Sequence, residues 1–494
     1  MPNIIAYAVL AIWPFVIVAM FRKMPIERAF IWAILAGYMF LPERTEFDLP
    51  LIPSMNKETL PNLTVFVICV MLLKMRPAIL PDGLIGKVLV LLLVSTPIIS
   101  VVFNLDPITF ATQYSGRLVI VQDAIAPIPG MRIYDAVSAL LAQILLILPF
   151  FLARHILATE AALTELLRAL MIGGLLYSGL ILWEVRFSPQ LHTNLYGFFQ
   201  HDFLQMIREG GFRPIVFMPH GLWVALFMVM TAVSALHFAK QAAPNERLRA
   251  TAITVWLFGI VYLCKSLGPM LILLALSAFV LFLRPKTQFR LGALMAVVTI
   301  AYPALRGAGL IPTGDLVAFL EARKPERAQS LWFRFHNEDM LLERAAERPV
   351  FGWGGWGRNQ VFDQQTGEAI SVTDGQWIIT IGTYGWLGYI ALFGLLCLPL
   401  VALWWRYRTV PNDQIAPQVG VLVVMLGAML IDLLPNATMV ALTWLIAGAL
   451  LGHAELVQRQ RQTARLNEYR NAPVRAGLLG AARSAQPVLK RSFL

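Results

Sequence analysis

Charge is what this chain has least of. Only 14% of its 494 residues are Asp, Glu, Lys or Arg, against 58% hydrophobic residues and a mean hydropathy of +0.67. Soluble globular chains carry about 25% charged residues, so a water-soluble fold is excluded. Cysteine is scarce as well. Cys69, Cys264 and Cys397 lie in or at the ends of apolar stretches and give neither a metal-ligand spacing nor a disulfide framework. No His/Cys/Asp/Glu cluster has the spacing of a metal site and no Ser-His-Asp order stands out, so neither a metal nor another cofactor is expected. No basic leader with a small-residue cleavage site precedes the first apolar stretch, which is expected to be a retained span. The sequence shows no internal repeat.

What is present is one apolar span after another. The spans read as 4–20, 29–41, 61–73, 85–103, 135–153, 165–183, 215–238, 250–264, 269–283, 291–309, 377–404, 418–435 and 437–452. Lipid offers no partner to free backbone N–H and C=O groups, so helix is the economical form for each. The fold class expected is an all-α, polytopic helical membrane protein with about 12–13 transmembrane helices, the second and third being short enough to be tilted or re-entrant.

The net charge of +11 would point to nucleic acid in a soluble chain. Here Lys and Arg stand beside span ends, where topology and anionic headgroups account for them, so membrane lipid is an expected partner and nucleic acid is not. One set of alternate connections is rich in them: Arg22, Lys23 and Arg28; Lys74, Arg76 and Lys87; Arg154 and Arg168; Lys240, Arg247 and Arg249; Arg284, Lys286 and Arg290; Arg406 and Arg408. The positive-inside rule makes that set cytoplasmic. The chain then divides into an N-terminal bundle over 1–310, a large external loop over 311–375, C-terminal transmembrane helices over 376–452 and a basic cytoplasmic tail over 453–494, helical to about Arg470. In a bacterium the external face is periplasmic.

The loop carries Arg334-Phe-His-Asn-Glu338, Gly352-Trp-Gly-Gly-Trp-Gly357 and Asp374-Gly-Gln-Trp377. Three shorter connections emerge on the same side: 104–134, with Ser115-Gly-Arg117 and Gln122-Asp123; 184–214, ending in Arg213-Pro214; and the break Cys264-Lys265-Ser-Leu-Gly-Pro269. Arg213, Lys265 and Arg334 are the candidate cations. A charge at a span mouth is costly unless it pairs or faces water, and a guanidinium fork suits phosphate oxygens. Anchoring to headgroups accounts for the same arginines.

Asp374, just before an apolar span, is placed to act as a general base or as a helix N-cap. His220, two turns beyond Arg213, is a candidate substrate contact or a hydrogen-bonded structural residue. A local ion pair with Arg334 accounts for Glu338 and Asp339. The glycine-rich run lacks the strand and the Lys-Ser/Thr of a phosphate loop. Its Trp353 and Trp356 suit either sugar stacking or an interfacial belt.

Together these motifs resemble the O-antigen ligase/O-antigen polymerase superfamily of bacterial membrane glycosyltransferases. The resemblance rests on Arg334, then Pro349-Val-Phe-Gly352-Trp-Gly354, then Gly385-Trp-Leu-Gly388, on Arg213-Pro-Ile-Val-Phe-Met-Pro-His220, and on Lys265-Ser266 where the family often has Ser-Arg. It covers about a third of the chain. It implies transfer of glycan from an undecaprenyl-diphosphate carrier to an acceptor glycan at the periplasmic face of the inner membrane, without metal or nucleotide sugar. Chain-length and export proteins are implied partners. Arg213 and Arg334 would hold the diphosphate, with Lys265 beside them. Ligases of this family typically carry a His-Asn pair where this chain has Asp374-Gly375, and that favours a polymerase of O-antigen or exopolysaccharide. Transfer to lipid A-core or protein is the alternative. A lipid-linked-glycan flippase and a structural partner in an export complex are rivals from other classes.

Overall fold

A computed structural model describes residues 1–48, 53–110, 126–208 and 210–471, apart from the side chains of 326, 327 and 468–471. Residues 115–117, 122–123 and the tail beyond 471 lie outside the described residues.

Each apolar stretch in the sequence becomes a helix. In chain order these are α1 (Ile4–Lys23), α2 (Ile26–Phe40), α3 (Thr59–Val67, continued by a π-helical turn Ile68–Leu72), α4 (Leu84–Val102), α5 (Ile133–Ile156) and α6 (Glu160–Phe187). After the short α7 (Leu191–Tyr196) and the two-residue strands β1 (Ile207–Arg208) and β2 (Gly211–Phe212) come α8 (Gly221–Gln241), α9 (Arg247–Leu263), α10 (Leu267–Phe282) and α11 (Pro285–Gly307). The segment 311–375 is no coil: it contains α12 (Thr313–Glu321) and α13 (Pro325–Ala346). The chain closes with α14 (Gln376–Tyr407), α15 (Pro417–Asp432) and α16 (Ala441–Asn471).

Among the described residues eight helices are long and apolar enough to cross a membrane: α1, α4, α5, α6, α8, α11, α14 and α16. The others matched to expected spans are shorter, such as α10 with 16 residues and α15 with 16. The protein is an all-α, multi-pass membrane protein. The expected count of about 12–13 spans runs ahead of the eight that length and composition support.

Close helix approach depends on small residues where no hydrophobic drive separates lipid from leucine. Gly448 and Gly452, one turn apart on α16, press against α5. A Cβ on either would sit 2.1 Å from the carbonyl oxygens of Phe150 and Arg154. α15 is buried almost throughout from Val419 to Leu430, and α1 lies at the periphery with only Ala6, Leu10 and Ile17 buried.

α14 is two helices broken at Gly385, whose φ of +67° suits glycine. The break is filled by the Pro349–Gly354 segment. Trp386 N–H donates to Pro349 O (2.8 Å), Trp353 N–H to Gly382 O (2.8 Å) and Gly354 N–H to Thr383 O (2.9 Å). A broken helix frees carbonyls that must be paired, and here a loop supplies the donors. Gly352, also at positive φ, lets the two backbones touch: its Cβ would fall 2.5 Å from Thr383 O. The two glycine motifs of the sequence are one interlock.

Candidate functional site: a cation cluster beside Asp374

Arg213 stands on a rigid lead-in to α8. Glu184, buried at the end of α6, accepts from the N–H groups of Ile215 (2.8 Å) and Val216 (2.7 Å). Gln200 donates to Val216 O, Tyr177 OH accepts from Phe217 N–H, and Lys57 donates to Phe217 O. These bonds hold Val216 at φ +51°, a region a β-branched residue rarely visits.

The Arg213 side chain is 3% exposed and lies across Gly221, where a Cβ would meet its Nε at 2.8 Å. One Nη donates to Ser266 Oγ at 2.6 Å, while Nε has no partner among the described residues. Burial pulls this guanidinium down to about 10, and the neighbouring Arg208 and Arg334 charges act in the same direction. A buried arginine this poorly satisfied is unusual, because burying an unpaired charge is costly.

The other cations gather around it. Lys265 precedes Ser266 at φ +49° and donates to Arg208 O at 2.9 Å. Its Nζ lies against Gly211 of β2. Arg334, on α13, donates to Pro435 O and Asn436 Oδ1, each at 3.3 Å. Its Nε lies 3.7 Å from Asp374 Oδ2, with both side chains over a third exposed. At that exposure the pair contributes at most about 1 kcal/mol to stability. Asp374 is not the helix cap: Gly375 holds the N-cap position of α14 and no side chain caps it.

The Asp374–Gln376 turn is seated on the end of α15, with Gln376 N–H donating to Leu433 O (3.0 Å) and Asn436 O (3.2 Å). Asp432, buried, accepts from Thr438 Oγ1 (2.6 Å) and Asn436 Nδ2 (3.0 Å), and so aims the Asn436 amide oxygen at Arg334.

His220 caps α8, its Nδ1 accepting from Leu222 N–H at 3.1 Å. Burial, then the charges of Arg213, His201, Arg208 and Arg334, push it down to about 3. It is therefore neutral with its proton on Nε2, a donor rather than a base. His201 faces it with ring centroids 4.6 Å apart.

Two expectations are corrected. Glu338 and Asp339 do not pair with Arg334: Arg306 of α11 takes both, at 3.4 and 2.7 Å. Burial, set against the Arg306 charge, pushes Glu338 up to about 7. Trp353 is closed to sugar: it is buried, its Nε1 donates to Arg344 O, and the guanidinium carbons of Arg344 and Arg348 lie 3.3 and 4.3 Å from its ring centroid. Trp356 is 75% exposed, with Nε1 donating to Asp135 Oδ1 at 3.2 Å.

Arg213, Lys265, His220, Arg334 and Asp374 thus share one end of the bundle. Arg208, His201, Asn436 and Asp432 join them unanticipated by the sequence reading. No protein-family model matches the chain, and comparison with curated proteins returns no match. The arrangement sets guanidinium and ammonium donors of the kind that suit oxyanions beside the Asp374 carboxylate.

Proposed function

We propose that the protein is a metal-independent glycosyltransferase that polymerises undecaprenyl-diphosphate-linked oligosaccharide units at the periplasmic face of the bacterial inner membrane. The observation that carries this reading is the buried, under-coordinated Arg213 among Arg208, Lys265 and Arg334, with Asp374 at 3.7 Å from Arg334. A diphosphate supplies an oxygen partner for Arg213 Nε and a second anion for Arg334. Asp374 takes the proton of the acceptor hydroxyl as that oxygen bonds to the donor sugar C1. The C1–O bond to the carrier breaks, and the arginines stabilise the charge that develops on the departing diphosphate. Arg334 then has two partners in turn: the carboxylate at rest, and a phosphate oxygen once the donor arrives.

The test is product analysis with purified protein in lipid, given undecaprenyl-diphosphate-linked repeat units and no other acceptor. Wild type yields a ladder of longer lipid-linked chains. Asp374→Asn lowers the rate by roughly 10²–10⁴, the usual contribution of a general base, with the protein still inserted. Product appearing only after lipid A-core or a protein acceptor is added would make it a ligase. No transfer to any acceptor would sink the enzyme reading and leave transport.

A further inference from the structure

At the other end of the bundle, where α1 ends and α6 begins, lies a cavity of about 330 Å³. That is within the range of about 300–1,000 Å³ typical of small-molecule sites. Three helices each bring it a cation: Lys23 from the end of α1, Arg28 from the first turn of α2 and Arg168 from α6. The apolar part of the lining includes Ile31, Trp32, Ala169 and Ile172, of which Ile31 and Ala169 are buried. Each cation borders an uncharged run. Residues 4–21 end just before Arg22 and Lys23, 29–42 follow Arg28, and 169–183 follow Arg168. The three therefore stand together at one boundary between hydrocarbon and headgroups.

The charges do not cancel. Among the described residues that line the cavity, the three cations meet one carboxylate, Glu165. It accepts from Arg28 Nε at 2.6 Å and from one Nη of Arg168. Among the described residues nothing bonds to the Nη groups of Arg28, to the second Nη of Arg168 or to the Lys23 ammonium. The Arg28 and Arg168 side chains are 50% and 43% exposed, so both guanidiniums remain open to the boundary. Pro25, the N-cap of α2, also lines the cavity and provides no side-chain cap. The partial positive charge of that helix end adds to the cations. Glu27 shares the first turn of α2 but does not line the cavity.

The lining decides the ligand class. A free phosphate would answer the cations and leave the Trp32–Ile172 wall bare. A lipid without net charge would cover that wall and leave the excess positive charge unanswered. An anionic phospholipid answers both, with its phosphodiester against guanidinium and ammonium donors and an acyl chain against the indole and the aliphatic side chains. From Ile172 the exposed positions of α6 continue as Leu176, Gly179 and Trp183, which share one helical face. A Cβ on Gly179 would meet nothing within 4 Å, so the track along that face is open.

We propose that the α1–α2–α6 cavity binds an anionic phospholipid, its phosphodiester on Lys23, Arg28 and Arg168 and an acyl chain along Trp32, Ile172 and Leu176. The site is independent of the transfer reading above. The lipid fastens α1, which has only Ala6, Leu10 and Ile17 buried, to α6.

The test is native mass spectrometry of the full chain, delipidated in detergent and titrated with dioctanoyl phosphatidylglycerol. Dioctanoyl phosphatidylcholine and inorganic phosphate form separate arms. Wild type should bind phosphatidylglycerol saturably and roughly 30-fold more tightly than phosphatidylcholine, from two uncompensated charges at about 1 kcal/mol each. Inorganic phosphate in large excess should not displace it. Lys23 makes no bond among the described residues, so Lys23→Gln leaves the fold intact. It should weaken phosphatidylglycerol binding roughly 5-fold, the worth of one such charge. Arg22→Gln removes an equal charge one residue away but outside the lining, and should leave binding unchanged. Equal binding of the two lipids overturns the proposal, as does displacement by phosphate. So does an unchanged affinity in Lys23→Gln, or an equal loss in Lys23→Gln and Arg22→Gln, which would mean that charge at this end attracts anionic lipid without a built site.

Discussion

The two ends of the bundle treat arginine in opposite ways. At the end where α5 finishes, Arg154 is saturated: Nε meets Glu455 at 2.8 Å, one Nη donates to Ala78 O at 2.9 Å and the other to Leu80 O at 2.6 Å. Beside it Arg459 holds Asp82 with two bonds of 2.8 and 2.7 Å, keeping that carboxyl below its usual range. At the end where α8 and α14 begin, Arg213 is as deeply buried and has, among the described residues, one side-chain partner and an idle Nε. Depth is therefore not the difference between these arginines; satisfaction is. A saturated guanidinium ties helices together, whereas under the proposed function the under-coordinated one in its rigid frame is kept for a ligand at some expense in stability.

The comparison breaks if Arg213 proves structural. Arg213→Ala should cut polymer formation by at least about 100-fold, the scale of losing one charge-stabilising donor in the transition state. Its unfolding temperature should stay level or rise, since a poorly compensated buried charge is removed. Activity and thermal unfolding of the same preparation decide it, and a marked loss of stability would refute the contrast. Arg154→Ala should do the reverse. It strands Glu455 in the interior, which costs about 3–5 kcal/mol, seen as a large fall in unfolding temperature with specific activity of the surviving folded protein unchanged.

A smaller effect sharpens the assignment of Asn436 as a positioning residue. Its amide oxygen holds Arg334 and its amide nitrogen is held by Asp432. Asn436→Ala frees Arg334 from one of its orienting contacts, and the rate should fall about 10-fold, the scale of one lost hydrogen bond to a charged group. The fall should appear in kcat with KM for the lipid-linked donor little changed, and Asn436→Asp, which sets a carboxylate against Asp432 in place of the donated N–H, should not recover it. An unchanged kcat would remove Asn436 from the site.

Much of this was legible from hydropathy and from polar residues placed where they are expensive. Every expected span falls on a helix because length and apolarity alone dictate that outcome in lipid. Arg334 and Asp374, forty residues apart in sequence, were singled out separately and lie together. What stayed hidden depends on long-range pairing. Trp353 and Trp356 sit in matching Gly-Trp-Gly settings, yet the first is drawn inward as its segment threads the break in α14. Glu338 has helical spacing from Arg334, but Arg306 from another helix claims it. Asn62 and Gln143 look like stray polar residues in apolar spans, and only the packing of α3 against α5 puts them beside one cavity.

The finest test of the contrast lies within one helix. Arg334 and Glu338 stand one turn apart on α13, the first open and loosely held, the second buried and facing Arg306, Tyr302 and Trp377, with Asp339 sharing Arg306. Burial raises the Glu338 carboxyl from 4.5 to about 7. A carboxyl raised on folding binds its proton more tightly in the native state. Its contribution is therefore fully present below about pH 4.5 and is lost as pH rises through about 7. Unfolding temperature of the wild type should accordingly fall across pH 5 to 8, and Glu338→Gln, which keeps the shape without the titration, should flatten that part of the slope. The difference curve between the two proteins isolates this group from the others that titrate. If the curves run parallel, Glu338 is already ionised throughout, held by Arg306. The anchoring of α13 would then be an ion pair of the kind seen around Arg154, and the line between saturated and idle charges would fall between Arg334 and its own neighbour for a different reason than burial.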